Sequence, residues 1–200
     1  MHKINRLKEV IKHKQGPVKQ DFPFILLLIS NAILFLPFTV LIIFGDTGKE
    51  FIIPSQFSLS TIVLIASSWI VYKAKDSKNN DRIKQFKCYL IALLVLGSLF
   101  LALQYSGWDY TFNLLNNQDK DITFVIVMVH GVHFLVAMTL VLVTLINTLK
   151  IQNNAYFYIH FLDPKVNMFL KRTFRFWDFL TFLWVIIFSL MLLKTGLKSQ

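Results

Sequence analysis

ITFVIVMVHGVHFLVAMTLVLVTLINTL, residues 122–149, decides how the whole chain is read. It carries no Asp, Glu, Lys or Arg, and it exceeds the ~20 residues a helix needs to cross a ~30 Å hydrocarbon core. Within it lie His130-Gly131-Val132-His133, two ionisable side chains at a depth where such groups are costly and mark a functional site by default. Four further apolar runs accompany it: 22–44, 52–72, 88–105 and 174–193. The run at 52–72 is the weakest, because Pro54, Ser55, Gln56, Ser58, Ser60 and Thr61 dilute its first half. Pro near a helix start costs little, so this run too reads as a span. The expected fold is therefore all-α: a polytopic membrane protein with a bundle of five transmembrane helices. In lipid a continuous apolar run satisfies its backbone only as a helix.

Composition agrees. Of 200 residues, 55% are hydrophobic and only 16% charged, against about 25% charged in soluble domains. The charges are gathered into blocks. Residues 1–21 hold six Lys/Arg, residues 73–87 six and residues 148–175 five, whereas the alternate connections and the C-terminus hold four. By the positive-inside rule the N-terminus is expected in the cytoplasm and the C-terminus outside. The net charge of +10 is thus a topology signal, with some attraction to anionic lipid, and nucleic acid is not an expected partner. Two regions result: a basic cytoplasmic segment, 1–21, and a membrane domain, 22–200. The run from Phe22 is too long for a signal peptide and lacks a small-residue cleavage site. Tyr72, Tyr105, Trp108 and Tyr110 sit at span ends, as in an aromatic belt. Residues 155–170 are too short to span and are expected along the cytoplasmic interface, broken at Pro164.

The single cysteine, Cys88, excludes an internal disulfide and a Cys-based metal site. His130 and His133 share a helix face, which admits a metal pair, a haem ligand or a proton relay. No other span offers a matching set of ligands, so the favoured reading is two histidines bonded to a neighbouring helix, with Gly131 allowing close approach. Gln104, at a similar depth in the third span, is the expected partner of His130. Asn31 is the one strongly polar side chain in the middle of the first span and is read as a helix–helix contact. Asp178 opens the fifth span, where an acid suits the helix dipole. Arg175, three residues earlier, is expected to pair with it or to meet a lipid headgroup. No phosphate loop, nucleophile triad or metalloprotease pattern is present, so no catalytic residue, cofactor ligand or metal ligand is expected in the chain.

Five stretches in order resemble one family. LLISNAILF (27–35), STIVLIASSWIVYKA (60–74), LGSLFLALQYSGW (96–108), HGVHFLV (130–136) and FRFWDF (174–179) are similar to the successive helix motifs of cytochrome c oxidase subunit III. The likeness is to the short five-helix bacterial form of this haem–copper oxidase subunit. Three positions depart from the pattern: Asn31 and Gly107 stand where the family has glutamates, and Arg175 where it has a histidine. The resemblance implies a subunit of a respiratory complex in the bacterial inner membrane. It would pack on oxidase subunit I, with subunit II nearby, hold phospholipid and support proton uptake and complex stability. Haem and copper would belong to the partner subunits. The alternatives are an accessory subunit of a nitric oxide reductase and a small membrane metalloprotein using His130 and His133. A transporter is disfavoured, because neither an inverted repeat nor paired broken helices is visible.

Overall fold

The computed structural model describes residues 21–44, 54–114, 121–151 and 154–198. They are almost entirely helical: α1 Phe22–Phe44, α2 Ser55–Asn79, α3 Ile83–Leu114, α4 Asp121–Leu149, α5 Asn154–Leu162 and α6 Pro164–Lys198. Five of the six, all but α5, are long and apolar enough to cross a membrane. The basic N-terminal segment expected at 1–21 lies outside the described residues up to position 20.

The outer surface of the helices is as apolar as their core, unlike a water-soluble bundle, and this points to a multi-pass membrane protein. On α2 the outward side chains are Leu59, Ile62, Ile65, Trp69 and Tyr72, whereas Ser60, Thr61, Ser67 and Ser77 are buried. Large exposed apolar faces of this kind are not tolerated in water over whole helices. Small hydroxyl residues at helix interfaces are the usual arrangement in lipid, where burying leucine gains little and close backbone approach gains more.

The buried positions repeat every seven residues. On α2 they run Phe57, Leu64, Val71 and, offset, Ser60, Ser67, Ala74. On α3 they run Ile83, Leu90, Gly97, Gln104 and Phe86, Leu93, Phe100, Gly107. Helices α4 and α6 follow the same rule, with Val127, Phe134, Val141 and with Leu170, Trp177, Trp184, Met191. A spacing alternating three and four averages about 3.5 residues, the seam of left-handed, knobs-into-holes packing. Two glycines serve this seam. A Cβ on Gly97 would strike Met138 and come within 3.0 Å of Trp177, and one on Gly107 would strike Phe57. Gly131 is different: a Cβ there meets nothing within 4 Å. The close approach expected at Gly131 is therefore made at Gly97 and Gly107 instead.

Helix α6 occupies the middle, touching α1, α2, α4 and α5, while α2 and α3 form the most extensive pair. It is the most buried of the spanning helices, and α1 the least. The segment at 122–149 thus shares its organising role with α6. That helix begins at Pro164, well before the expected Phe174, because Asp163 caps it. The Asp163 carboxylate accepts from the Lys165 amide at 2.9 Å, and Pro164 fills the first helical position, where no amide donor is needed. Pro164 separates α5 from α6, as expected. At the α2–α3 connection Arg82 N–H donates to Ser77 O at 2.9 Å and Asp81 N–H to Lys78 O at 3.3 Å. Asp81 takes φ 57°, the left-handed residue of a Schellman C-cap.

The connections also sort the charges. Arg172 and Arg175 reach Asp21, Lys75 reaches Asp178, Lys78 reaches Asn167, and Lys87 donates to Ile151 O. The basic segments at 73–87 and 148–175 and the start of α1 therefore lie together at one end of the bundle, termed here the basic end.

Candidate functional site

All five spanning helices meet in one layer around His130. Its ring is 1% exposed and faces four others. Trp184 of α6 lies at 5.0 Å, Phe100 of α3 at 6.0 Å, Phe35 of α1 at 6.2 Å and Phe134 of its own helix at 6.4 Å. Trp184 in turn donates its indole N–H to Thr61 Oγ1 of α2 at 2.9 Å. The layer is thus an aromatic cage with an imidazole at its centre. Among the described residues neither His130 nitrogen has a hydrogen-bond partner.

The polar contacts run beside the cage, along α2. Ser60 accepts from Gln104 Nε2 at 3.0 Å, Thr61 from Trp184, and Ser67 from Trp177 Nε1 at 2.9 Å. Each hydroxyl passes its own proton to a carbonyl one turn back: Ser60 and Thr61 to Phe57 O, Ser67 to Leu64 O. This geometry explains why Ser and Thr are suited here. A hydroxyl can both donate and accept, so it satisfies itself within α2 and still offers a lone pair to a donor on α3 or α6.

Several expectations are corrected. Gln104 bonds Ser60 and not His130, because its amide faces the α2 side of the shared seam. Asp178 pairs with Lys75 at 2.8 Å and not with Arg175, which lies 3.5 Å from Asp21. A partner on an antiparallel helix at the same depth wins over one a turn away on the same helix. Asn31 donates to Leu27 O of its own helix at 2.9 Å, an internal bond in place of an expected cross-helix one. His133 holds its Nδ1 2.7 Å from Val129 O and packs on Phe35 at 5.8 Å, so both histidines lean on the same α1 ring. Among the described residues no three His, Cys, Asp or Glu side chains gather as a metal site would need.

Sequence reasoning missed the hydroxyl seam. Its signal was present in Ser60, Ser67 and Ala74 at seven-residue spacing, in the run whose polarity made it look the weakest span.

At the basic end, among the described residues, cavities flank α6 on either side. One, about 300 Å³, lies between α4, α5 and α6 and is largely apolar, with Asn147, His160 and Lys165 at its edge. The other, about 230 Å³, lies between α2 and α6 and is lined by cations. No known family model matches the chain, and no curated protein matches it.

Proposed function

We propose that this chain is the non-catalytic third subunit of a respiratory haem–copper terminal oxidase, in the short five-helix bacterial form. The observation that carries this reading is the ordered set of five motif-like stretches, each on a separate spanning helix and linked to another of the five by buried side-chain contacts. Gln104 of the third stretch bonds Ser60 of the second. Trp177 of the fifth bonds Ser67 of the second, and His130 of the fourth packs against Trp184 and Phe100. The buried polar chemistry serves helix cohesion: hydroxyl, amide and indole groups bond one another across helices.

In this reading the N-terminus and the basic end face the cytoplasm of a bacterial inner membrane, as the positive-inside rule requires. The broad apolar faces of α1 and α4 are available to oxidase subunit I and to lipid. Haem and copper belong to the partner subunits, and the chain acts indirectly, by sustaining proton uptake and the durability of the complex. Electron transport and proton translocation belong to the assembly. Deleting the gene tests this. The purified oxidase should keep its haem spectrum and its initial rate of oxygen consumption, but lose activity over repeated turnover. Loss of haem, or unchanged durability, would overturn the assignment of roles.

A further inference from the structure

The cation-lined cavity between α2 and α6 is a different kind of surface from the rest of the molecule. Lys75, Lys78 and Asn79 approach from α2, and Asn167, Lys171 and Arg175 from α6, over a floor that includes Phe174. Among the described residues the lining contains no carboxylate. Two carboxylates sit behind it: Asp178 is taken by Lys75, and Asp21 is shared between Arg172 and Arg175 at 3.4 and 3.5 Å. Two guanidinium groups thus share one acid. Lys78 donates to a neutral acceptor, the Asn167 side-chain oxygen at 2.7 Å, lies 5.8 Å from the Phe161 ring, and has the Asp81 carboxylate as its nearest opposite charge. A lysine ammonium has three donors, so Lys78 keeps two for another acceptor, and the amides of Asn79 and Asn167 supply more. Cations brought together over an apolar floor, outnumbering the acids paired with them, favour a compact oxyanion that accepts several hydrogen bonds at once.

We propose that this cavity is a phosphate-recognition site at the basic end of the bundle, filled by the headgroup of an anionic phospholipid or by a soluble phosphate. Phe174 at its floor and the adjoining apolar faces of α2 and α6 suit the glycerol and first acyl carbons of a lipid. Lys78, Lys171 and Arg175 hold the phosphate oxygens, and Asn79 and Asn167 set its orientation. The proposal deepens the phospholipid-holding part of the reading above. It does not depend on the oxidase partner, so its failure would leave that partner assignment standing.

The test uses the full chain, with whatever subunits purify with it, in nanodiscs of phosphatidylcholine containing a minor fraction of phosphatidylglycerol. Native mass spectrometry counts the lipids retained. Phosphatidylglycerol should be enriched over phosphatidylcholine, and the enrichment should fall roughly fivefold for each lysine lost in Lys78→Gln/Lys171→Gln. Lys84→Gln, on an exposed α3 position outside the cavity, should keep it. In nanodiscs of phosphatidylcholine alone, inorganic phosphate is titrated while the melting temperature is followed. A rise in the wild type that the double variant lacks assigns the site to a soluble phosphate. Enrichment without such a rise assigns it to a headgroup. Neither enrichment nor a rise, or the persistence of both in the double variant, would overturn the site. Should the double variant fail to accumulate, Arg175→Gln on the exposed rim gives the same reading with a single, smaller fall.

Discussion

Removing the Ser67 hydroxyl isolates the interaction that characterises this bundle. Ser67 Oγ accepts the Trp177 indole N–H at 2.9 Å and donates to Leu64 O at 2.6 Å, and Trp177 is fully buried. In Ser67→Ala the indole donor has no acceptor and no water, a loss of about 1–3 kcal/mol for a buried unpaired group. In Trp177→Phe the serine still satisfies itself within α2, so the loss is the cross-helix bond, about 0.6–1.7 kcal/mol in lipid, plus the reduced ring contact. The Trp177 ring lies 4.8 Å from Phe134, a contact the phenyl ring can partly keep. The double variant therefore costs less than the sum of the singles, with a coupling of about 0.6–1.7 kcal/mol. Steric-trap unfolding in bicelles measures all four stabilities on one scale. Additivity within about 0.3 kcal/mol would refute the bond and with it the seam.

Three further outcomes follow from the packing. Gly97→Ala should destabilise the bundle by about 1–3 kcal/mol, since its Cβ meets Met138 and Trp177, while Gly131→Ala should be neutral or up to about 1 kcal/mol more stable; the same unfolding assay ranks them, and the reverse order would contradict the helix contacts. His130→Phe should lose no more than about 3 kcal/mol, the overpacking cost of a six-membered ring in the place of a five-membered one, because no hydrogen bond is broken; a larger loss would reveal a polar partner for the imidazole. Lys75→Gln and Asp178→Asn should couple by no more than about 1 kcal/mol, because each side chain of the pair is about 40% exposed and screened; Arg175→Gln should not couple to Asp178→Asn at all.

The spans were legible because hydropathy and length suffice for them: α1 runs Phe22–Phe44 and α4 Asp121–Leu149, within a residue of the apolar runs. Helix α6 was only half legible. Its first turns are amphipathic, with Lys165 and Arg172 on one side and Leu170 and Phe174 on the other, so an apolar-run criterion begins too late. The node around His130 was half legible too. Two histidines in an apolar run identify the layer, but which groups face them depends on helix rotation, and depth alone placed Gln104 beside the wrong partner. The hydroxyl seam was hidden by the opposite error. A hydropathy scale counts Ser60, Thr61 and Ser67 against membrane insertion, although small self-satisfying hydroxyls are what the packed face of a lipid-embedded helix favours. Glycine shows the same limit: Gly131, between the histidines, looked like the close contact, whereas seven-residue spacing from Leu90 to Gly97 to Gln104 carried the real one.

The most direct test of the functional reading is purification of the tagged chain from its native membranes in a mild detergent, with an optical spectrum and a partner list. A haem- and copper-bearing large subunit of an oxygen-reducing oxidase should purify with it in equal amount. A stable chain that purifies alone and free of haem, or one paired with a nitric oxide-reducing subunit, would contradict it.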